Sequence, residues 1–401
     1  MKKKVLILTY YFDPEIFRIN DVAYDLASRG HDVTVITGIP NYPSGKFFDG
    51  YGLFSRRREF KNGVRIIRLP LIPRGSAHIF NLVLNYISFL FTSCIFVFFH
   101  SFFHKYDCIF VHGCSPVFIA IPGIIVKKIQ KIPLYFWVLD LWPESMYGSS
   151  GYSNKKVINS VCEIVKWIYS NCDKILVSSK GFSKSICSKG DFKNKIGYLP
   201  NWAEYCFENP EMQIVEQLPK GFNIVYAGNI GTGQNFDMVF KAIECVNDVS
   251  INWILIGNGQ SKAELQSIVK EKKLQNVFFL GQKPINSIFS YLRQCDVALL
   301  PLISGVIYSL TVPAKLQVYM ACSMPVLGIV DGEAADIIKS SHCGLACNAN
   351  DYHELAEIAK NMSAMNASQL NQMGDAGHNY YLLNFKRSNI LDKVNSMICS
   401  I

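Results

Sequence analysis

KVLILTYYFDPEIFRINDVAYDLASRGHDVTVIT, residues 4–37, holds the pattern that the rest of the chain repeats. KVLILT (4–9) and DVTVIT (32–37) are short apolar runs without polar alternation, as expected of strands buried on both faces of a parallel sheet. Between them, residues 15–29 carry apolar side chains at helical spacing, so the unit reads strand, helix, strand. VRIIRL (64–69), DCIFVH (107–112), PLYFWV (133–138), DKILVS (173–178) and KIGYLP (195–200) continue it, with a further helix at 154–171. FNIVYA (222–227), INWILI (251–256), NVFFL (276–280), DVALL (296–300), PVLGIV (325–330) and GLAC (344–347) begin it again, each followed by a helix-length segment.

The chain is therefore expected to be α/β, with two Rossmann-like, doubly wound domains. At 401 residues it exceeds what one core usually supports. The boundaries fall at 1–200 for the first domain, 201–220 for a polar, acidic linker with Pro210 and Pro219, 221–380 for the second domain, and 381–401 for a C-terminal helix, amphipathic over 385–398, packing back toward the first. Half the residues are hydrophobic and 18% charged, which excludes intrinsic disorder. Thirteen cysteines without a CxxC pair or zinc spacing read as reduced thiols in a cytoplasmic protein, and no metal or cofactor is expected. The apolar run after Lys2, Lys3 and Lys4 is cut short by Asp13 and Glu15, so a cleavable leader is not expected.

Charge is unevenly divided. Residues 1–200 carry 26 Lys+Arg against 13 Asp+Glu, or +13, and residues 201–401 carry 14 against 18, or −4. No nucleic-acid-binding motif accompanies the basic half, so an anionic membrane surface is the expected partner and nucleic acid is not. Residues 79–99, IFNLVLNYISFLFTSCIFVFF, lack any charge, are bracketed by His78 and His100, and follow Arg56, Arg57, Arg58, Lys61, Arg65, Arg68 and Arg74. The stretch is long enough to span a bilayer. Spanning would nevertheless put strands of one sheet on opposite sides, and Asn81, Asn85, Ser88, Thr92 and Ser93 interrupt it. An interfacial helix fits both observations, with a buried crossover helix as the alternative.

Ligands of open α/β sheets bind at the carboxyl ends of strands. After the first strand, Asp13, Glu15, Arg18, Asn20 and Asp21 crowd one turn; Asp13 or Glu15 can cap the helix, while Arg18 opposes the helix dipole and is a candidate anion contact. After the strand at 133–138 comes VLDLWPES, where Asp140 is a candidate catalytic acid or a helix cap. Trp142 there offers a stacking face, and Glu144 follows Pro143. In the second half, GNIGTGQN (228–235), IGNGQS (256–261) and LGQKP (280–284) are glycine turns that let a backbone approach a ligand. Lys315, in the first turn of a helix within VPAKLQVYMACSMPV (312–326), calls for an anion opposite it.

Together, YFDPEIFRIND, GHDVTVITGIPNYPSGK, DLWPES, LPNW (199–202), YAGNIGTGQ, and VPAKLQVYMACSMPV through DGEAADII resemble the family 4 retaining glycosyltransferases of GT-B architecture, in the branch that builds bacterial surface polysaccharides such as O-antigen, capsule and exopolysaccharide. The resemblance implies two domains facing across a cleft, a UDP-sugar held by the second and an acceptor by the first. It implies transfer of a hexosamine, such as N-acetylfucosamine, to a lipid-linked saccharide, with retention, no metal, and a peripheral position on the inner face of the cytoplasmic membrane. The implied donor contacts are Gly228, Asn229, Gly231, Gln234, Asn258, Gly259, Lys283 and Lys315; the acceptor contacts are Glu15, Arg18, Asp140, Trp142 and Glu144; and the catalytic groups are Asp140, Lys315 and Glu333. The chain departs from the family at Asn229 and Gln234, where an Arg and a Lys usually meet the pyrophosphate, at Leu310 and Val318, where two glutamates usually stand, and at Leu139, usually His. Phosphate charge then falls to Lys315, and Glu333 replaces a sugar-binding acid. A UDP-sugar 2-epimerase of the same architecture and a non-catalytic scaffold are the competing readings.

Overall fold

Strands rich in Val, Ile, Leu and aromatic residues bury both faces, and the chain does this in two separate sheets. The computed structural model describes residues 2–75, 79–150, 154–246, 248 and 250–401, with the backbone only of Tyr147, Ser149 and Ser150; His78 lies outside them. The chain divides into one unit of Met1–Pro200 with Ser388–Ile401 and another of Asn201–Arg387.

The first unit is built on β1 (Lys4–Leu8), β2 (Asp32–Gly38), β3 (Arg58–Lys61), β4 (Val64–Leu69), β5 (Cys108–Gly113), β6 (Leu134–Val138), β7 (Lys174–Val177) and β8 (Ile196–Tyr198), in the order β3-β4-β2-β1-β5-β6-β7-β8. All neighbours are parallel except β3, which is antiparallel to β4. In the second unit β9 (Phe222–Ala227), β10 (Ile251–Ile256), β11 (Val277–Gly281), β12 (Val297–Pro301), β13 (Val326–Ile329) and β14 (Gly344–Cys347) form a wholly parallel sheet ordered β11-β10-β9-β12-β13-β14. Strand order reverses between β1 and β5 in one sheet and between β9 and β12 in the other. Those switch points are where the crevices of doubly wound sheets lie.

β3 is the strand absent from the sequence expectation. Its residues alternate between exposed and half-buried, and all but Phe60 are charged, so they lack the apolar run of a central strand. Asn62 and Gly63, with φ of 49° and 79°, close the two-residue hairpin that joins it to β4. The first helix starts at Arg18 rather than near residue 15, because Glu15 is taken by another loop.

Helix Ile79–Phe103 connects β4 to β5. Asn85, Phe89, Ser93, Val97 and Ser101, one per turn, are its buried residues. Its polar side chains fasten it to the segment after β4: Asn85 Nδ2 donates to the Ile72 carbonyl (2.6 Å), Ser88 Oγ accepts from the Ile72 N–H (2.9 Å) and Thr92 Oγ1 donates to the Pro70 carbonyl (2.8 Å). The opposite face exposes Phe80, Val83, Ile87, Phe91, Ile95, Phe98 and Phe102. Only 22% of its most apolar window is buried, so it is not an ordinary core crossover helix.

Residues 201–220, expected as a linker, belong to the second unit. Trp202, Ala203 and Phe207 are buried, Gln213 N–H donates to Ser290 Oγ (2.7 Å), and Glu208 accepts from Tyr381 Oη (2.6 Å). Apolar side chains spaced through a polar segment gave it a core to join. At the other end, the second unit runs on to Arg387, and helix Arg387–Cys399 places Lys393 on the Tyr198 carbonyl (2.5 Å) and Asn395 against His31 (2.9 Å).

Candidate functional site

In the second unit, the switch point gathers Gly228, which directly follows β9, and Lys315, in the first turn of helix Ala314–Ala321. Gly228 has φ +145°, and a Cβ there would stand 2.4 Å from Lys315 Cε, so glycine makes room for the lysine stem. Lys315 Nζ lies 5.1 Å from the Tyr226 ring centroid. Burial lowers its ammonium from 10.5 to about 8, and no carboxylate pairs with it among the described residues. A half-buried cation over an aromatic face, at a helix N-terminus and without a counter-charge, is suited to an anion.

The glycine turns have a structural cause. A Cβ on Gly257 would sit 1.8 Å from the Gly228 carbonyl oxygen, and one on Gly259 would sit 2.2 Å from that of Ile230, both at positive φ. The β9 and β10 loops interlock backbone to backbone, with the Ile230 N–H on the Asn258 carbonyl (2.9 Å). Asn229 and Gln234 are folded into this loop: Gln234 Oε1 accepts from the Gly231 N–H (3.0 Å), and the Asn229 carbonyl accepts from Tyr226 Oη. Asn258 is exposed beside them.

Lys283 is not brought to this group. It is paired with Glu216 (2.5 Å), which also accepts from Tyr291 Oη (3.1 Å), after the outermost strand β11. The carboxylate of the supposed linker claims its charge. Glu333 opens helix Glu333–Ser341 after β13, next to Gly332, whose φ of +64° lets it approach the Ser309 carbonyl.

The first unit has its own cluster at the β1/β5 switch point. Glu15 is 3% exposed, and its Oε1 accepts the N–H groups of Asn41 (2.9 Å) and Tyr42 (2.7 Å). Oε2 has no partner. Burial raises the carboxyl to about 7, against the pull of those N–H groups and of Arg74. Arg74 donates to Tyr11 Oη (2.9 Å) and lies 5.1 Å from the Tyr42 ring centroid, while Tyr11 stacks on Phe17 at 4.9 Å. Asn41 Oδ1 accepts the Arg74 N–H (3.2 Å). Tyr11, Asn41, Tyr42 and Arg74 were missed in the sequence because they come from three loops. Arg18 begins the helix Arg18–Ser28 and is half-buried.

Asp140, after β6, accepts from Ser115 Oγ and Ser145 Oγ, and Trp142 Nε1 donates to Ser115 Oγ (3.0 Å). Burial raises the Asp140 carboxyl, and these donors oppose the rise. Asp140 and Trp142 thus share one network through Ser115. Glu144 does not join it: 8% exposed, it pairs with Lys189 (2.5 Å) and accepts from Ser185 Oγ (2.5 Å). As a buried acid it needed a cation, and the helix Phe182–Ser188 supplies one just beyond its end.

With this geometry in view, residues 209–380 match the family model of glycosyl transferases group 1. The chain is 24% identical over 310 residues to the putative colanic acid biosynthesis glycosyl transferase WcaI of Escherichia coli K12, covering 73% of this chain and 75% of that one. Sucrose-phosphate synthase from Thermosynechococcus elongatus superposes with a TM-score of 0.76 at 15% identity, over 100% of this chain and 99% of that one. Anabaena HepE, solved in complex with UDP and glucose, gives 0.68 at 12% identity over 100% of both. Most of the second unit thus matches the group 1 glycosyl transferases in sequence, and the fold is GT-B.

Proposed function

We propose that the chain is a retaining, metal-independent glycosyltransferase that moves a sugar from a UDP-sugar to a lipid-linked saccharide during bacterial surface-polysaccharide synthesis. The observation that carries this reading is Lys315, a half-buried ammonium with no carboxylate partner among the described residues, at the switch point of the sheet that matches the group 1 family. Breaking a glycosyl pyrophosphate develops negative charge on the leaving phosphate, and a preorganised cation in a poorly hydrated site stabilises that charge where it appears. Approach of the pyrophosphate raises the Lys315 ammonium again and keeps it protonated. Backbone amides of the 228–231 turn assist, and Glu333 contacts the sugar. The acceptor hydroxyl attacks from the face the phosphate leaves, so no enzymic nucleophile is needed. Glu15, Arg18, Asp140 and Trp142 bind the acceptor in the first unit.

The polysaccharide role is supported by the colanic acid relative, and UDP by the HepE complex. An N-acetylated deoxyhexosamine is the donor sugar we favour. A position on the inner face of the cytoplasmic membrane is supported by the exposed apolar face of helix Ile79–Phe103, which a soluble epimerase would not need. That β4 and β5, at its two ends, belong to one sheet supports an interfacial helix over a spanning one. Incubation with candidate UDP-sugars and membrane lipid, followed by UDP release and product mass, tests the whole reading; if no donor supports transfer, it is wrong.

A further inference from the structure

Between helix Ile79–Phe103 and the β3–β4 edge runs a groove of about 480 Å³, within the usual range of small-ligand sites. Its walls are apolar: Leu69 and Pro70 on one side, and Phe91, Ile95, Phe96 and Phe99 on the other. Its polar lining is Thr92, Arg57, Arg58, His100 and His104, with no acidic side chain among the described residues. The acidic residue of the neighbouring strand, Glu59, is turned away to Arg68 (2.9 Å). Arg57 is occupied by the carbonyls of Leu53 and Arg68. Arg58 is exposed and pairs with no carboxylate among the described residues. Burial, with His104, Arg58 and Arg65 close by, lowers the His100 imidazolium to about 4, so His100 is neutral at pH 7 and the groove's fixed positive charge comes from its arginines.

An apolar trough with a cationic rim matches an amphiphile with one anionic head and one hydrocarbon tail. We propose that this groove binds a single anionic phospholipid of the bilayer, its acyl chain lying against Phe91, Ile95 and Phe99 and its phosphate meeting Arg58 and His104. None of the acceptor-cluster residues lines the groove, so the lipid is an anchor and not the substrate. The inference rests on the reading that the long helix lies in the membrane surface, and it adds a defined lipid site to that general apolar contact.

The test uses the full chain and two kinds of probe. Short-chain dihexanoyl phosphatidylglycerol, titrated below its micelle concentration and followed by native mass spectrometry, should bind one per chain and more tightly than dihexanoyl phosphatidylcholine. Arg58→Gln should weaken it about fivefold, the effect of one basic group at an anionic surface. Ile87, exposed on the helix but outside the groove, supplies the contrast. Ile87→Glu should reduce sedimentation with phosphatidylglycerol vesicles while leaving the short-chain lipid site intact. Equal affinity for the two headgroups, or no effect of Arg58→Gln, overturns the groove even if vesicles still bind. Wild-type protein that takes up the short-chain lipid but does not sediment with vesicles, or vesicle binding unchanged by Ile87→Glu, would instead overturn the interfacial-helix reading. Farnesyl diphosphate displacing phosphatidylglycerol at lower concentration would make the groove a site for the acceptor's carrier and refute the phospholipid.

Discussion

Replacing Lys315 by methionine should make the free protein more stable and the enzyme inactive. The drop in its ammonium from 10.5 to about 8 corresponds, at roughly 1.4 kcal/mol per pH unit, to about 3 kcal/mol spent in the native state at pH 7 to keep the charge. The sign follows from linkage: the native state binds this proton less tightly than the unfolded chain. The penalty is therefore complete below pH 8 and disappears as pH rises toward 10.5. Methionine retains an apolar stem beside Gly228 and over Tyr226 and removes the charge. Lys315→Met should thus raise the melting temperature at pH 7, by up to roughly 2–4 °C for each kcal/mol recovered, and the gain should shrink by pH 10. UDP at a hundredfold excess over its dissociation constant stabilises the wild type by about 2.7 kcal/mol, and the variant should lose most of that shift. Transfer should fall about 10²–10³-fold, as when one donor to a developing oxyanion is removed. Lys283→Ala is the control, since its exposed pair with Glu216 contributes about 1 kcal/mol or less. A Lys315→Met protein that melts lower than wild type and keeps its UDP shift would show that this lysine is structural.

The remaining predictions concern the first unit. Burial raises the Glu15 carboxyl from 4.5 to about 7, so the native state holds its proton more tightly and stability from this group falls as pH rises from 4.5 through 7. Glu15→Gln keeps an oxygen for the Asn41 and Tyr42 amides, and should flatten the urea-unfolding free energy across that window; an unchanged slope would refute the assignment. Lys189→Ala leaves the Glu144 carboxylate buried and unpaired, which should cost about 3–5 kcal/mol, whereas Glu144→Leu with Lys189→Met together should cost much less. Equal losses in denaturant midpoints would rule out the unpaired charge as the cause. Binding to anionic vesicles should weaken as ionic strength rises from about 0.01 to 0.15 M, where the screening length shrinks from about 30 to 8 Å. Salt-independent sedimentation, or none, would contradict an interfacial helix with basic flanks.

The parallel strands, two repeats of one grammar and the apolar segment at 79–99 were legible because each is a local property of side-chain type and spacing. A run such as INWILI needs no partner to declare that both its faces are buried, and Gly228 with Lys315 could be singled out from turn chemistry and helix polarity. What tertiary structure decided was which charges are already answered. Lys283 and Lys315 look equally available along the chain, yet Glu216 comes from 67 residues away to neutralise one, and no carboxylate among the described residues neutralises the other. Glu144 and Asp140 sit four positions apart, yet one is taken by Lys189 and the other by two serines. The glycines of 257 and 259, read as openings for a ligand, are openings for a neighbouring loop. The edge strand Arg58–Lys61 was hidden because one face of it is meant to be wet. Burial and spacing are written into consecutive residues, whereas the free energy of a charge depends on what the fold sets beside it, and only packing brings those distant groups together.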